Sequence, residues 1–347
     1  MILTIRLRLR DKHSAELNRQ ARAVNFVWNF CNETQQKAIR WNRKWPTAYD
    51  LHKLTAGSCQ MLGLHSQTIN EVCKRYDWSR RQHHRPWLRF RGQKSLGWVP
   101  FHGQSLKITA RGFLFRGAEY QPMHFRDIPE GAKISAGSFS RDARGRWYIN
   151  VPIDAPDGVQ AKSGVVGIDL GLKDLATLST GEKIEAPQFY RRLQGRLGAA
   201  QRANKRKLRR TLAAKILNAR RDHLHKASAR IALAHDLIFV GNVSSSKMAR
   251  TTLAKSVLDA SWSTLRNQIS YKAIRHGGRM IEVDERWTTQ VCSTCGSTPE
   301  GRPKGIAGLG IRQWECSECG TVHDRDVNAA RNIARVGLDT LAEGAGA

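Results

Sequence analysis

Long apolar stretches are missing from this chain of 347 residues. Hydrophobic residues make up 40% of it, but no run approaches the roughly 20 apolar residues that span a bilayer. The first ten residues, MILTIRLRLR, alternate apolar side chains with arginine and lack the apolar core of a signal peptide. No solenoid-like repeat and no lipidation motif is present. These absences predict a cytoplasmic protein with no membrane partner.

Acidic residues are also scarce. The chain has 29 Asp and Glu against 58 Lys and Arg, which gives a net charge of +29 and a pI near 10.6. Such an excess repels itself unless a polyanion neutralises it, and nucleic acid is the usual polyanion. An anionic membrane surface is the competing partner, but no amphipathic anchor supports it. The composition therefore predicts a nucleic-acid-binding protein whose affinity falls steeply with salt.

Cysteines are few, and seven of them in a cytoplasmic chain argue against a disulfide framework. Four form two C-x-x-C pairs, Cys292 with Cys295 and Cys316 with Cys319, with 20 residues between the pairs. This spacing is typical of a zinc ribbon, and four thiolates leave no ligand position for a catalytic water. We predict a structural Zn²⁺ site. An iron–sulfur cluster or a redox dithiol is the alternative.

The first half of the chain has the patterns of a small β-domain with inserted helices. Apolar residues recur at helical spacing in one segment that Ser14 is available to cap and in another that begins at Ser66. The residues predicted to be buried are Leu17, Ala21, Val24, Trp28 and Cys31 in the first helix and Ile69, Val72, Cys73 and Tyr76 in the second. Short stretches over 103–155 predict strands that join the N-terminal strand.

Residues 74–98 alternate cations with aromatic residues. Arginine and lysine bind phosphates, while aromatic rings stack on unpaired bases. In the alternative interpretation, an amphipathic helix is followed by a basic strand, and the aromatic residues belong to the core. The cations favour nucleic acid under either interpretation. The arginines predicted to contact it are Arg75, Arg80, Arg81, Arg85, Arg89 and Arg91.

The second half has the element succession of an RNase H-like domain. Strands are predicted in VVGIDLG, DLATLSTG and EKIEAP, followed by a basic helical region over 188–234 and the strand LIFVGN. A helix at about 251–276, the strand RMIEVDE, the cysteine segment and a last helix complete it. Three antiparallel strands followed by alternating helices and strands form such a domain, with the fifth strand parallel to the fourth.

The basic helical region is also predicted to bind nucleic acid. It has fourteen Lys and Arg against one Asp over 191–230. A solvated helix face is the alternative, and it is less consistent with this imbalance. The residues singled out as contacts are Lys205, Arg206, Lys207, Arg209 and Arg210.

Two acidic positions predict a Mg²⁺ site. Asp169 shares a strand face with Gly167 and Gly171, whose small size we expect to leave room for a hydrated metal and a phosphate. Asp326 lies in the first turn of the last helix, over one end of the strands, and Asp324 is assigned to capping. Two or three carboxylates suffice for Mg²⁺, and two such ions promote phosphodiester hydrolysis. The alternatives are a turn residue at Asp169 and a simple helix-dipole effect at the helix acids.

The motifs GIDLGLKDLATLSTG, CSTCG…CSECG and DRDVNAARNI, in this order and spacing, resemble the TnpB family. These are transposon-associated, RNA-guided DNA endonucleases related to the type V CRISPR effectors. The resemblance covers most of the chain and is most specific over 164–181 and 288–336. It implies a monomer that binds a guide RNA from its own locus, recognises double-stranded target DNA and cleaves it with Mg²⁺. The implied location is the bacterial cytoplasm, with nucleoid association on DNA.

The resemblance also implies a multidomain fold of mixed α+β and α/β class. The implied domains are a β-barrel-like wedge domain (1–10 and 97–155), an inserted helical recognition domain (11–96), a RuvC-like nuclease domain (163–287 and 321–340), an inserted zinc ribbon (288–320) and a disordered tail (341–347).

One position departs from the family pattern. The family usually has a catalytic Glu at the end of the fourth strand, where this chain has Gly241. The fifth strand ends near Glu285, one strand spacing of roughly 5 Å from the vacated place. We predict that Asp169, Glu285 and Asp326 form a rearranged active site. The alternative is that Glu285 is an exposed residue at a strand end.

The expected function is therefore an RNA-guided, Mg²⁺-dependent endodeoxyribonuclease with a structural zinc, associated with a mobile element. Gly241 leaves a nuclease-dead, RNA-guided repressor as an alternative. A strand-transfer transposase is a weaker alternative, because it requires a third carboxylate in the long helix, which offers mainly Asp222.

Overall fold

The computed structural model describes residues 2–125, 128, 132–154, 160–242, 261–304 and 307–345. The chain folds into two compact units, Met1–Pro156 and Asp157–Ala347. Four sheets and several long helices among the described residues give a mixed α and β fold, as predicted. No helix in these ranges combines the length and apolar character needed to cross a bilayer.

The first unit contains a four-stranded antiparallel sheet and a three-stranded meander. Its strands are β1 Ile2–Arg8, β2 Trp98–Phe101, β3 Leu106–Ile108, β4 Phe113–Phe115, β5 Ala118–Tyr120, β6 Gly137–Arg141 and β7 Trp147–Asp154. The sheet order is β1-β7-β6-β2, and β3, β4 and β5 form the meander. Pairing of β1 with β7 along its whole length confirms that the N-terminal strand belongs to this β-structure.

The helices of the first unit pack against the same core as its sheet. They are α1 Ser14–Arg40, α2 Ala48–Leu54, α3 Cys59–Leu62 and α4 Ser66–Gln82. All nine residues predicted to be buried in α1 and α4 are buried, which confirms both helical patterns. Ser14 is the first residue of α1 and does not cap it. Val24 and Tyr76 share one hydrophobic cluster with Phe139 and Ile149 of the sheet.

The second unit is built on a five-stranded mixed sheet. Its strands are β8 Val165–Asp169, β9 Asp174–Leu178, β10 Lys183–Glu185, β11 Leu237–Gly241 and β12 Arg279–Val283. The order is β10-β9-β8-β11-β12, in which β8, β9 and β10 are antiparallel. The last two strands run parallel to β8, so the fifth strand lies parallel beside the fourth, as predicted.

Helices cover both faces of this sheet. They are α5 Phe189–Arg202, α6 Arg206–Ala234, α7 Trp262–Arg275 and α8 Arg325–Ala345. Leu224 of α6 and Leu265 of α7 join the cluster of Ile168 and Val240. On the other face, Ile333 of α8 packs with Phe239 and Val283. The sheet is thus buried between two helical layers.

The basic helical region differs from the prediction of one continuous segment over 188–234. It forms two helices, because Asn204 between α5 and α6 adopts the left-handed conformation with φ of 48°. The predicted helix at 251–276 is observed from Trp262 to Arg275, and its first residues lie outside the described part of the chain.

Gly167 allows α8 to pack closely against β8; it does not leave the predicted room for a metal ion. A Cβ there would lie 2.6 Å from the backbone nitrogen of Ala334 and still closer to the carbonyl of Ala330. Any side chain would push α8 away from β8, so the expectation of open room beside Asp169 was wrong at this position. Close approach of α8 instead brings the helix N-terminus to the end of β8.

The predicted disordered tail at 341–347 is wrong over 341–345. Helix α8 continues to Ala345, because Leu341 packs against the cluster that contains Phe239 and Ile333. The cysteine segment precedes α8 and contains a small hairpin of β13 Gln313–Glu315 and β14 Val322–Asp324.

Candidate active site and cysteine centre

Asp169 is the last residue of β8, at the edge where that strand leaves the core. The strand inserts Val166 and Ile168 into the interior, and Asp169 itself is only partly exposed. Burial first, and then the negative charges of Asp326 and Glu285, raise the pKa of Asp169 to about 7. The two other predicted acids therefore lie close enough to Asp169 to act on its ionisation.

The N-terminus of α8 holds two aspartates in different roles. Asp324 Oδ1 accepts hydrogen bonds from the backbone N–H groups of Asp326 and Val327, each at 3.1 Å, which confirms it as the helix cap. Its Oδ2 lies 2.6 Å from the ammonium of Lys183. The side chain of Asp326 has no part in capping, and it is largely buried. It is thus available for the acidic cluster.

Glu285 occupies the space that a side chain at residue 241 would fill. Gly241 pairs with Val283 across β11 and β12, and Glu285 follows two residues later. A Cβ built on Gly241 would lie 2.7 Å from Glu285 Oε2 and 3.3 Å from its Cβ. The carboxyl group is partly buried, and burial raises its pKa, while the positive charge of Arg266 opposes that rise. Glu285 is therefore directed inward over the fourth strand and is not a solvated strand end.

The three carboxyl groups are less tightly clustered than the thiols described below. Among the described residues, only the four cysteines bring one ligand atom each within 4.8 Å of all the others. Asp169, Glu285 and Asp326 are thus electrostatically coupled but more widely spaced. Basic groups border them: Arg312 Nη1 lies 3.4 Å from Asp326 Oδ2, and Arg325 lowers the pKa of Asp169.

Two asparagines of α8 fix the loop that carries Glu285. The Nδ2 groups of Asn328 and Asn332 each donate to the carbonyls of Thr288 and Val291, at 2.7–3.2 Å. Both side chains are buried. Sequence reasoning assigned them no role, although two asparagines four residues apart on a helix face are a visible signal.

The four predicted zinc ligands meet at one point. The Sγ atoms of Cys292 and Cys319 are 3.7 Å apart, as are those of Cys295 and Cys316. A tetrahedral zinc with Zn–S bonds of 2.3 Å requires sulfur separations of about 3.8 Å. The thiols thus form a site that could hold a metal ion, with a geometry that fits zinc.

His323 lies beside this site and was not predicted. Its Nε2 is 3.0 Å from Cys292 Sγ, and the ring packs against Trp314 at a centroid distance of 4.9 Å. Both residues are buried. A neutral imidazole N–H here can donate to a thiolate and support the cysteine ligand.

The predicted nucleic-acid contacts divide into exposed and internal arginines. Arg80 is buried, with Nη2 2.9 Å from Asp77 Oδ1, and Arg91 Nε donates to Asn25 Oδ1 at 2.7 Å. These internal partners conflict with a surface role for Arg80 and Arg91. The predicted contacts that remain exposed are Arg75, Arg81, Arg85, Arg89, Lys205, Arg206, Lys207, Arg209 and Arg210.

Two family models match separate parts of the chain. A model described as a probable transposase, OrfB_IS605, matches residues 148–252. A model described as the TNB domain of Cas12f1-like proteins matches residues 262–333, which include the cysteine centre and the start of α8.

Curated relatives match over nearly the whole chain. A "Putative RNA-guided DNA endonuclease" of Streptomyces pristinaespiralis is 31% identical, over 97% of this chain and 89% of the relative. InsQ of Escherichia coli, with the same description, is 26% identical over 97% of this chain and 92% of its own. The CRISPR-associated endodeoxyribonuclease Cas12f1 of Sulfoacidibacillus thermotolerans is 26% identical over 60% of this chain and 55% of its own.

A solved structure is similar at low sequence identity. The chain of a Cas12f1–sgRNA–target DNA complex shares 15% identity, with 96% of this chain and 99% of that chain covered and a TM-score of 0.37.

Proposed function

The chain belongs to the TnpB family of transposon-associated proteins, and on this premise we propose that it is an RNA-guided DNA endonuclease with a rearranged active site. Asp169, Glu285 and Asp326 are the proposed catalytic carboxylates. The observation that carries the proposal is the overlap of the Glu285 carboxylate with the space of a side chain at 241. The acid that the family pattern places on the fourth strand would thereby be supplied from the loop that follows the fifth.

Mg²⁺ is the proposed catalytic cofactor. The donor set is three carboxylates, which suits a hard cation that keeps several waters. The raised pKa of Asp169 supports this choice, because burial and then the charges of Asp326 and Glu285 disfavour its ionised form, which a bound cation would stabilise. When bound, Mg²⁺ would activate water and stabilise the leaving oxygen of the phosphodiester.

We propose that the three carboxylates would hold two ions, as in two-metal sites that hydrolyse phosphodiesters. Among the described residues, these acids do not form a ligand group as compact as that of the four cysteines. Asp169 on the sheet and Asp326 on the helix are fixed by their elements, and Glu285 completes the set from its loop.

The partners follow from the family and the charge. We assign the guide RNA, transcribed from the element's own locus, and double-stranded target DNA to the exposed basic residues of both units. In this assignment the second unit acts as a RuvC-like nuclease with an RNase H-like sheet, and the first as wedge and recognition domains. The protein would act as a monomer with its RNA, at the bacterial nucleoid, in retention or spread of its element.

A structural Zn²⁺ is proposed for the cysteine centre. Its support is the match of the thiol separations to a tetrahedral site. Among the described residues, the hydrophobic cluster around it consists of Cys292, Trp314 and Cys316 alone. So small a core needs a metal to remain folded.

A nuclease-dead repressor is the second candidate, and Gly241 is the observation that favours it. Such a protein would bind guide RNA and target without cutting. Inward placement of Glu285 weighs against it, because a binder does not need a partly buried carboxylate beside Asp169.

The test moves the catalytic carboxylate from residue 285 to residue 241. The complex with RNA from its own locus is incubated with a DNA library of randomised flanks, with and without Mg²⁺, to obtain a target. Glu285→Ala should then lower cleavage by about a hundredfold or more. Gly241→Glu alone should also lower it, because two carboxylates compete for one space, and the double variant should regain much of the lost activity.

Asp284→Asn is the matched control, since this neighbouring acid pairs with Arg286 on the exposed side of the loop and should leave cleavage unchanged. Normal cleavage by Glu285→Ala would reject the rearranged site. Target binding without any Mg²⁺-dependent ends in the wild type would favour the repressor, and absence of RNA-dependent target binding would reject both.

A further inference from the structure

Two large aromatic side chains are held at the surface just after α4. Trp87 is 49% exposed and Phe90 is 53% exposed. They line an open groove of about 660 Å³ together with Gln36, His83, Arg85, Leu88 and Arg89. This volume lies within the range of roughly 300–1,000 Å³ typical of small-molecule sites.

The backbone beneath these rings is fixed by asparagines of α1. Asn32 donates to the carbonyl of Leu88 at 2.7 Å and accepts from its N–H at 2.9 Å. Asn29 does the same for Arg91, at 2.9 Å and 2.7 Å. The segment is therefore rigid in a way that exposed loops usually are not.

These hydrogen bonds hold the backbone so that Leu88 faces the core, while Trp87 and Phe90 face outward. Leu88 packs against the main hydrophobic cluster of the first unit, whereas Trp87 and Phe90 do not belong to it. In the part of the chain that the structure describes, neither ring stacks on another aromatic ring or under a cation. Rigid and uncovered apolar rings indicate a binding surface.

Charge around the groove limits its occupant. The lining residues include Arg85, Arg89 and His83 and no acid. Other aromatic residues of the same stretch, Tyr76 and Trp98, belong to or pack against the core. The rings of residues 74–98 thus differ: Tyr76 and Trp98 are structural, as in the core interpretation, while Trp87 and Phe90 are exposed beside cations.

We propose that this groove binds unpaired nucleotides of RNA, with bases stacked on Trp87 and Phe90 and phosphates on Arg85 and Arg89. The assignment of RNA rests on the proposed function. RNA offers loops and single strands whose bases are free to stack, whereas the bases of duplex DNA are already paired. Stacking of this kind tolerates any base, because each base has a π-face.

The test uses a 12-nucleotide oligouridine RNA with 5-iodouridine at every position, with the purified full-length protein. Irradiation should cross-link the probe to the peptide that spans residues 83–91. Competition by unlabelled oligouridine should abolish the cross-link, whereas a 12-base-pair RNA duplex of equal concentration should not.

Affinity measured against salt separates stacking from charge. Trp87→Leu with Phe90→Leu should weaken binding at 0.3 M salt by roughly five- to a hundredfold without changing the slope of log affinity against log salt. Trp87→Phe should retain most of the affinity, since the ring is kept. Arg85→Ala with Arg89→Ala should instead reduce the slope by about 1.4.

Tyr49→Leu is the control, an exposed ring on α2 in the same unit that lies outside the groove, and should change neither quantity. The groove proposal would be overturned if the Trp87→Leu, Phe90→Leu double variant bound with unchanged affinity and the probe cross-linked outside 83–91. Guided cleavage could persist in that case. Conversely, a normal groove result with no guided cleavage would contradict only the proposed nuclease.

Discussion

Burial of Asp169 at the end of β8 has an energetic cost that depends on pH. Its pKa of about 7 in the folded protein lies above the value near 3.9 of a free aspartate, so the folded state favours the protonated form. This contribution to the free energy of unfolding is complete below pH 4 and is lost as pH rises through 7. An acid at this place destabilises the metal-free protein in the neutral range.

Asp169→Asn should therefore stabilise the metal-free protein at pH 8. The melting temperature should rise by roughly 2–4 °C for each kcal/mol of relieved burial cost and repulsion, and the gain should be much smaller at pH 5 and disappear only below pH 4. Added Mg²⁺ should stabilise the wild type at pH 8 and leave the variant unchanged. Thermal melts at the two pH values measure both effects.

Asp339→Asn is the matched control, because this acid is exposed on α8. This control variant should change the melting temperature only slightly, and by the same amount at pH 5 and pH 8. A gain for Asp169→Asn that is the same at pH 5 and pH 8 would contradict the electrostatic explanation and point to altered packing.

At the scale of elements, the cysteine hairpin and the Glu285 loop are mechanically connected. Asn328 and Asn332 bind the carbonyls of Thr288 and Val291, and Val291 directly precedes the first cysteine ligand. Metal at the four thiols would therefore restrain the segment that positions Glu285, without a direct part in the acidic cluster.

Removal of zinc should lower cleavage without abolishing RNA binding. We expect a loss of about tenfold to a hundredfold, as for a catalytic group displaced by about 1 Å, that saturating Mg²⁺ does not restore. Cys316→Ala should show the same loss of cleavage, and elemental analysis should find no bound zinc in this variant. Cys59→Ala, in the first unit, should retain zinc and activity; full activity of zinc-free protein would refute the connection.

The elements show which patterns a sequence can reveal. Helices α1 and α4 were predictable because their buried residues repeat at helical spacing across a full face. The break at Asn204 was not, since it lies in a polar stretch with no apolar period to interrupt. Gly167 was misinterpreted because a glycine required by a neighbouring helix looks the same as one that makes room for a ligand.

The acidic cluster was accessible by a different route. Motif order indicated Asp169 and Asp326, and parallel pairing of the last two strands led to Glu285. The inward direction of the Glu285 side chain could not be read from the sequence, because it depends on how the loop is tied to α8. Its catalytic role stays a prediction until the exchange with residue 241 is tested.

For the whole molecule, the net charge of +29 predicts RNA binding that weakens steeply as salt rises. With ten or so phosphates neutralised, affinity should fall by about 10³–10⁵ between 50 and 200 mM salt. Alanine at Lys205, Arg206 and Lys207 should reduce the slope of log affinity against log salt by about 2 for single-stranded RNA. Filter binding over a salt series measures it.

The charge-preserving exchange of Lys and Arg at these three positions is the control and should keep the slope. An unchanged slope in the alanine variant would mean that the exposed start of α6 does not meet the RNA backbone.

If Glu285 is catalytic as proposed, overlap of its carboxylate with the space over Gly241 also constrains the ancestry of this chain. If the ancestor carried an acid on the fourth strand, loss of that acid first would have left an inactive lineage with nothing to select for its repair. The glutamate at 285 must then have arisen while the acid at 241 was still present. Such an intermediate, with both acids in one crowded space, must have remained functional until the acid at 241 was lost. Chains with acids at both places would be the surviving witnesses of that passage.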